Sequence, residues 1–442
     1  MSRTTRREFI KRSGFTMLTV GVGLSAFPRY LQMAASSSLT RAAALSQNDR
    51  ILVVIQLAGG NDGLNTVIPI SGTLNGIYRD RRPTLAVPEA SILPIGRDAA
   101  GHQLGFHPHL SRLRTLFNQG RVAVIQSVGY DNPSRSHFRS MDIWHTANPN
   151  QIETFGWLGD TLDLTSPGSH NPLLAVAVTG DRLPLSLAAR RTAVPVVASI
   201  EDYRLRVTNR LYPADEPIRI QTLLALNREA APERTLYEKI RLTALDAYTS
   251  SQLLQERADQ NYQNDPTVVY PSNNPLAGAM KQAAQIIASD LGTKILYVML
   301  DGFDTHQGQL DRAVNHPLLL RYLDEAVWAF YQDMRRLGRD HQVLMMTWSE
   351  FGRKLPENGN HGTDHGASAP QFVIGTRVNG FNQGRSTGIF GEHPSLTDLY
   401  SEDDTKHAID FRSLYATILE RWLEVSAREI LGGRFEIMNF IA

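Results

Sequence analysis

KILYVML (294–300) and VLMMTW (343–348) are short, strongly apolar runs, and between them lies PLLLRYLDEAVWAFYQDMRRL (317–337). In that middle stretch Leu320, Leu323, Val327, Phe330, Met334 and Leu337 recur every three or four residues, so a helix there would present one apolar face. Pro317 stands in its first turn, where a missing N–H costs nothing. Strand, helix and strand in this order form a βαβ unit, whose two strands pair in parallel. Working outward, ILVVIQL (51–57), VAVIQSV (122–128) and QFVI (371–374) also read as buried strands. The expected fold is therefore α/β, a three-layer sandwich with a mostly parallel central sheet and helices on both faces.

Two further tracts are helical. Ile218 to Gln260 is charge-rich and lacks strand signals, and the Pro- and Asn-rich NYQNDPTVVYPSNNP (261–275) follows it. It reads as a helical, cap-like insertion beside the sheet, over about 218–260. Asp410 to Val425 reads as an amphipathic helix with Asp410 as N-cap and Leu414, Ile418 and Trp422 on one face. No internal repeat appears, and no linker divides residues 50–442 into two domains.

Composition narrows the chemistry. The 442 residues include 45 Lys and Arg against 44 Asp and Glu, with 42% hydrophobic residues and no cysteine. A net charge of +1 leaves no basic surplus to neutralise a phosphate backbone, which argues against nucleic acid as a partner. Without cysteine there are no disulfides, thiolate zinc sites or thiol nucleophiles, so His, Asp and Glu must hold any metal.

The first residues, MSRTTRREFIKR (1–12), are basic, and a mildly apolar stretch follows from Ser13 to Phe27. At about 15 residues that stretch is shorter than the roughly 20 a membrane span requires, so no stable membrane anchor is expected. Arg6-Arg7 followed by Phe9 resembles the twin-arginine export signal, and Ala42 to Ala44 supply a small-residue cleavage site. Residues 1–44 are thus expected to be a twin-arginine signal peptide, with the translocase as a transient partner and a periplasmic or extracellular destination.

The strands end in polar clusters. After 51–57 come Asn61, Asp62 and Thr66; after 122–128 come Ser134, Arg135, Ser136 and His137. After 294–300 come Asp301, Asp304 and His306, and after 343–348 come Glu350, Arg353, Asp364 and His365. Ligands of open α/β sheets bind outside the carboxyl ends of the strands, so groups this far apart in sequence can meet at one rim. Asp304 with His306, and Asp364 with His365 inside GTDHG, are the expected metal ligands. Asp62 adds a third carboxylate.

Three Asp and two His suit Zn²⁺ or Mn²⁺, and less well Mg²⁺ or Ca²⁺, and they suffice for two ions. Two such ions clamp the attacking and leaving oxygens of a displacement at phosphorus. Ser136 or Ser134 is then the candidate nucleophile, with Arg135 or Arg139 holding the non-bridging oxygens. NPSRSHF also reads as a turn in which Ser caps a helix starting near Phe138, which is compatible with that role.

GGNDGLNT, SRSHFRSMDIWHTA, GFDTH, SEFGR, GTDHG, DFRSLYATIL and LGGRF, in this order behind the leader, resemble the exported family catalogued as domain of unknown function 1501. That family is grouped with the alkaline phosphatase superfamily, which also includes sulfatases and phosphate mutases. The resemblance implies an alkaline-phosphatase-like fold with Asp62 as the carboxylate after the first strand and Ser136 as nucleophile. It implies Asp364 and His365 on one ion and Asp304 and His306 on the second, with Asp301 in reserve. A later histidine closes the second site, His393 in GIFGEHPSL before His407. Asn132 stands where Cys-type sulfatases carry cysteine, which excludes that class. The function implied is hydrolysis of phosphate mono- or diesters by an exported, metal-dependent enzyme. The alternatives are a Ser-type sulfatase-like hydrolase and a non-catalytic exported protein that keeps the site to bind metal, a partner or a surface.

Overall fold

The computed structural model describes residues 49–167, 171–180, 182–203, 216–227, 236–400 and 403–442. The leader expected over residues 1–44 lies outside them. The five apolar runs read as strands all belong to one eight-stranded sheet, as β1 Ile51–Ala58, β2 Val122–Gly129, β4 Ile295–Asp301, β5 Val343–Trp348 and β6 Ala369–Gly375, and Ala175–Val178, a run the sequence reading did not include, is β3. The short β7 Ile389–Phe390 and β8 Ile409–Asp410 complete it. The spatial order is β7-β2-β6-β5-β1-β4-β3, with β8 also on β2. Every pairing is parallel except those of β6, which runs against both β2 and β5.

Both faces of β1 are buried, as expected of a parallel sheet covered by helices on each side. Ile51, Val53, Ile55 and Leu57 join one core with α1 Pro275–Ala288 and α2 His316–Arg336, while Leu52 and Val54 join a second. That second core holds Trp144 and Ile143 of the helix His137–Thr146, and Phe411, Leu414 and Tyr415 of Phe411–Thr417. The architecture is therefore a three-layer α/β sandwich. The predicted 317–337 helix is α2, its first turn capped by the Asn315 side chain, which accepts from the Leu318 N–H. Asp410 caps Phe411–Thr417 by accepting from the Arg412 N–H, and a single π-turn, Ile418–Leu423, continues it.

In the 218–260 tract two helices form, Glu216–Leu226 and Leu236–Asn261. Leu254 and Ala258 of the longer one are buried in the same core as α1 and α2, so its second half is part of that helical layer. No helix among the described residues is long and apolar enough to cross a membrane.

Register places the strand ends together. Ala58 is opposite Asp301, and Gln56 is opposite Trp348, so the segments after β1, β4 and β5 emerge side by side. They are stitched tightly. Gly59 has φ 117°, and a Cβ there would lie 2.4 Å from the Asp304 backbone nitrogen, so only glycine permits this approach.

Candidate metal centre

At this rim His137, Asp304 and His365 point ligand atoms at one another, all within 4.8 Å. His137 comes from the loop after β2, where Ser136 is the N-cap of His137–Thr146 and the imidazole belongs to the first helical residue. Asp304 follows β4, and His365 precedes β6. A fourth ring, His306, lies alongside: its Nε2 is 2.8 Å from His365 Nε2 and 3.3 Å from Asp304 Oδ1. His365 Nε2 is 3.1 Å from the same carboxylate oxygen, and His137 Nε2 is 3.5 Å from Asp304 Oδ2.

The far nitrogens fix the tautomers. His137 Nδ1 meets Glu350 Oε1 at 2.8 Å, His365 Nδ1 meets the Arg135 carbonyl at 2.7 Å, and His306 Nδ1 faces Asp364 Oδ1 at 3.2 Å. Carboxylates and carbonyls only accept, so each Nδ1 must carry a proton, and a ring with no second proton turns its Nε2 lone pair inward. Three lone pairs and a carboxylate so disposed repel one another unless a proton or a cation stands among them. His137 Nε2 is buried and has no hydrogen-bond partner. Donors arranged in this way, each backed by a hydrogen-bond acceptor, are able to hold a metal ion.

Electrostatics reinforce the assignment. Burial pushes the Asp304 carboxyl up, but the hydrogen bond and positive charge of Arg353 outweigh it and hold the group at about 2, charged at any ordinary pH. The Glu350 hydrogen bond raises His137, whereas burial lowers His365. Glu350 is itself buried and accepts from the Gly59 N–H at 2.8 Å. Arg353, equally buried, donates to the carbonyls of Gly60, Thr363 and Phe303 at 2.8, 2.8 and 2.9 Å, to that of Gly59, and to Asp304 Oδ1 at 2.8 Å. One guanidinium thus ties the segments after β1, β4 and β5. Asp304 and His306 remain about half exposed at the surface, with side chains 47% and 42% accessible, so the cluster is open to a solute.

Of the residues expected from sequence, Asp304, His306 and His365 meet in this cluster. Asp364 adjoins it as the partner of His306 and of Asn358, whose Nδ2 donates at 3.0 Å. Asp62 lies elsewhere in its bonding: both carboxylate oxygens accept from Arg82 Nη1, at 2.9 and 2.7 Å, and Gln309 Nε2 donates at 2.6 Å, with the side chain wholly buried. Burial raises its pKa, yet Arg82 and His316 bring it below the ordinary value. His393 is buried beside β2, its backbone N–H on Asp98 and its Nδ1 2.9 Å from the Pro394 carbonyl. It contributes nothing to the cluster. His407 contacts Tyr400 and faces Asp131 instead, and Asp301 accepts from the Gly302 N–H.

Ser136 is exposed and makes no side-chain capping bond; its N–H donates to Ser134 Oγ at 3.3 Å. The Arg135 guanidinium turns to Asp404, with Nε at 3.0 Å, so only its carbonyl serves the cluster. Arg139 donates to the carbonyls of Gln151 and Pro149. The member of the cluster absent from the expected ligand set is His137, with Glu350 behind it; the signal for both was their place in the strand-end clusters after 122–128 and 343–348.

The family model described as protein of unknown function (DUF1501) matches residues 118–433. No curated protein sequence matches the chain. Solved structures with a likeness include the C-terminal periplasmic domain of EcEptC from Escherichia coli in complex with Zn, at 9% identity over 75% of this chain and 74% of that one, TM-score 0.33. The PsFucS1 sulfatase from Pseudoalteromonas sp. aligns at 12% identity over 91% and 72%, TM-score 0.33. Alkaline phosphatase from the Antarctic bacterium TAB5 aligns at 10% over 75% and 93%, TM-score 0.30.

Proposed function

We propose that this chain, which belongs to the family of proteins of unknown function DUF1501, is an exported hydrolase of phosphate or closely related esters that depends on one divalent cation. Zn²⁺ matches the donor set best, since imidazole nitrogens with one carboxylate favour it over Mg²⁺ or Ca²⁺. His137, His306, His365 and Asp304 would hold it. The observation that carries the reading is the convergence of three Nε2 lone pairs on Asp304, each ring anchored through Nδ1. A second ion has less support, because Asp62 is committed to Arg82 and His393 lies apart.

When bound, such a cation supplies Lewis-acid polarisation of an ester oxygen and lowers the pKa of a nearby hydroxyl or water. The chain supplies the rest. Ser136 is exposed, at the N-cap directly before His137, and is the candidate nucleophile. The first N–H groups of His137–Thr146 face the same end and suit an anionic group. Arg353 keeps Asp304 ionised and fixed. The basic leader supports export through the twin-arginine translocase to the periplasm or beyond.

A second reading, metal binding without catalysis, is favoured by the cations. Arg135 and Arg139, the two candidates to hold non-bridging oxygens, are engaged by Asp404 and by backbone carbonyls. Screening generic phosphomonoester, phosphodiester and sulfate ester substrates with Zn²⁺, Mn²⁺ or Ca²⁺ separates the readings. Hydrolysis that disappears in Asp304→Ala and drops at least ~100-fold in Ser136→Ala supports the hydrolase. Bound zinc in the absence of any hydrolysis supports the second reading, and a wild type that binds no metal refutes both.

A further inference from the structure

At the sheet edge opposite the histidine cluster, the segment entering β2 and the segment leaving β6 enclose a cleft of about 820 Å³. β2 is eight residues long, which at ~3.3 Å per residue sets the two places roughly 25 Å apart. The cleft falls in the size range of small-molecule sites, roughly 300–1,000 Å³.

Its walls have a definite chemistry. None of the lining residues is Asp, Glu or His; six are Asn or Gln, and two are Arg121 and Arg385. The loop that forms one wall is closed by the Asn382 N–H on the Ser386 carbonyl at 2.9 Å and the Ser386 N–H on the Asn382 carbonyl at 3.0 Å. That closure leaves the side chains of Gln383 and Arg385 exposed at the opening. Arg121 Nη1 donates to the Thr376 carbonyl at 3.2 Å, which pins its guanidinium to the wall. Phe381 is half-buried and stacked on Phe117 with ring centroids 5.8 Å apart, and Phe390 is half-buried nearby.

Without carboxylate or imidazole the cleft lacks the donors of a transition-metal site. Asn379 Nδ2 donates to the Asn439 carbonyl at 2.7 Å and to Asn439 Oδ1 at 3.0 Å; a carboxamide such as that of Asn118, Gln119, Asn382 or Gln383 offers two donors and an acceptor, the complement of neighbouring sugar hydroxyls. Fixed aromatic rings give a surface for the apolar faces of sugar rings, and guanidinium groups take carboxylate or sulfate in paired contacts. Two arginines among many carboxamides, in a chain of net charge +1, do not make a nucleic-acid channel.

We infer that this cleft binds an acidic saccharide, with hydroxyls on the carboxamides and a carboxylate or sulfate on Arg385 and Arg121. The site is independent of the histidine cluster and of any hydrolysis. The test is calorimetric titration of the full chain, with chelator present so that the metal centre plays no part, against chondroitin sulfate hexasaccharide, maltohexaose and oligothymidylate. The hexasaccharide should bind saturably and at least about ten-fold more tightly than the other two. Arg385→Ala and the double variant Asn382→Ala/Gln383→Ala should each weaken it by about ten-fold or more with an unchanged melting temperature. Absence of saturable hexasaccharide binding, equal binding by Arg385→Ala, or tighter binding of oligothymidylate would overturn the assignment.

Discussion

Replacing Asp62 by Asn keeps the shape of the side chain and removes its charge. The structure makes the consequence calculable. Arg82 and Asp62 are both fully buried, 2.7 Å apart, and the guanidinium also donates to Asn65 Oδ1 and to the carbonyls of Leu355 and Lys354. Asp62→Asn therefore strands a buried positive charge among neutral acceptors, a change that costs about 3–5 kcal/mol. With an unfolding entropy of about 2.1 cal/mol/K per residue over roughly 390 residues, ~4 kcal/mol lowers Tm by roughly 5 °C. Zinc binding should persist, because the carboxylate is no ligand. Calorimetry of metal-free wild type, Asp62→Asn, Arg82→Met and the double variant measures the coupling, which should exceed ~2 kcal/mol. If Asp62→Asn melts with the wild type and has lost its zinc, Asp62 is a ligand and the structural assignment fails.

Glu350→Gln removes the carboxylate behind His137 and should lower Zn²⁺ affinity by about 10–100-fold with little change in the metal-free Tm, measured by competition with a chromogenic chelator. An unaltered affinity would remove His137 from the ligand set. Gly59→Ala drives a Cβ into the Asp304 backbone at a φ of 117°, so it should destabilise by about 1–3 kcal/mol and weaken zinc in parallel, read by urea denaturation and by the same competition. Asp324, buried where it accepts from the N–H of Leu113 and of Arg112, has its carboxyl raised by burial to about 6 from 3.8. The folded state holds this proton more tightly, so the contribution of Asp324 to stability is fully present below about pH 4 and falls by roughly 3 kcal/mol as pH rises through about 6. Asp324→Asn should abolish that decline; denaturation midpoints at pH 4.5 and 7.5 that keep a constant difference from wild type would contradict it.

The layered sheet was legible because parallel strands covered on both faces are apolar throughout, as in β1, and because α2 carries an unbroken apolar stripe bounded by Pro317. The strand-end clusters were legible for the same topological reason. Which members of each cluster face inward was not. Ser134, Arg135, Ser136 and His137 are four adjacent polar residues, and the turn into the following helix decides that the imidazole points at Asp304 while the guanidinium points at Asp404. Asp62 has the right type and place for a ligand, but its partner Arg82 stands twenty positions on in an unremarkable RDRRP stretch. Burial of that pair exists only in three dimensions. His393 was inferred by resemblance alone, and the chain folds it under Pro394 and against Asp98.

Strand β6 runs counter to both its neighbours, so its entrance carries His365 to the rim and its exit opens into the 376–386 loop at the far edge. A strand of the common orientation would have set those two ends the other way round. Seven residues, bonded along both sides, thus form a stiff strut between the histidine cluster and the carboxamide cleft. Sliding it by one residue would exchange its two faces, so neither end can drift without unpairing the centre of the sheet. Any saccharide held at one end and any ester processed at the other would therefore keep a constant separation, as two jaws fixed on a single rigid bar.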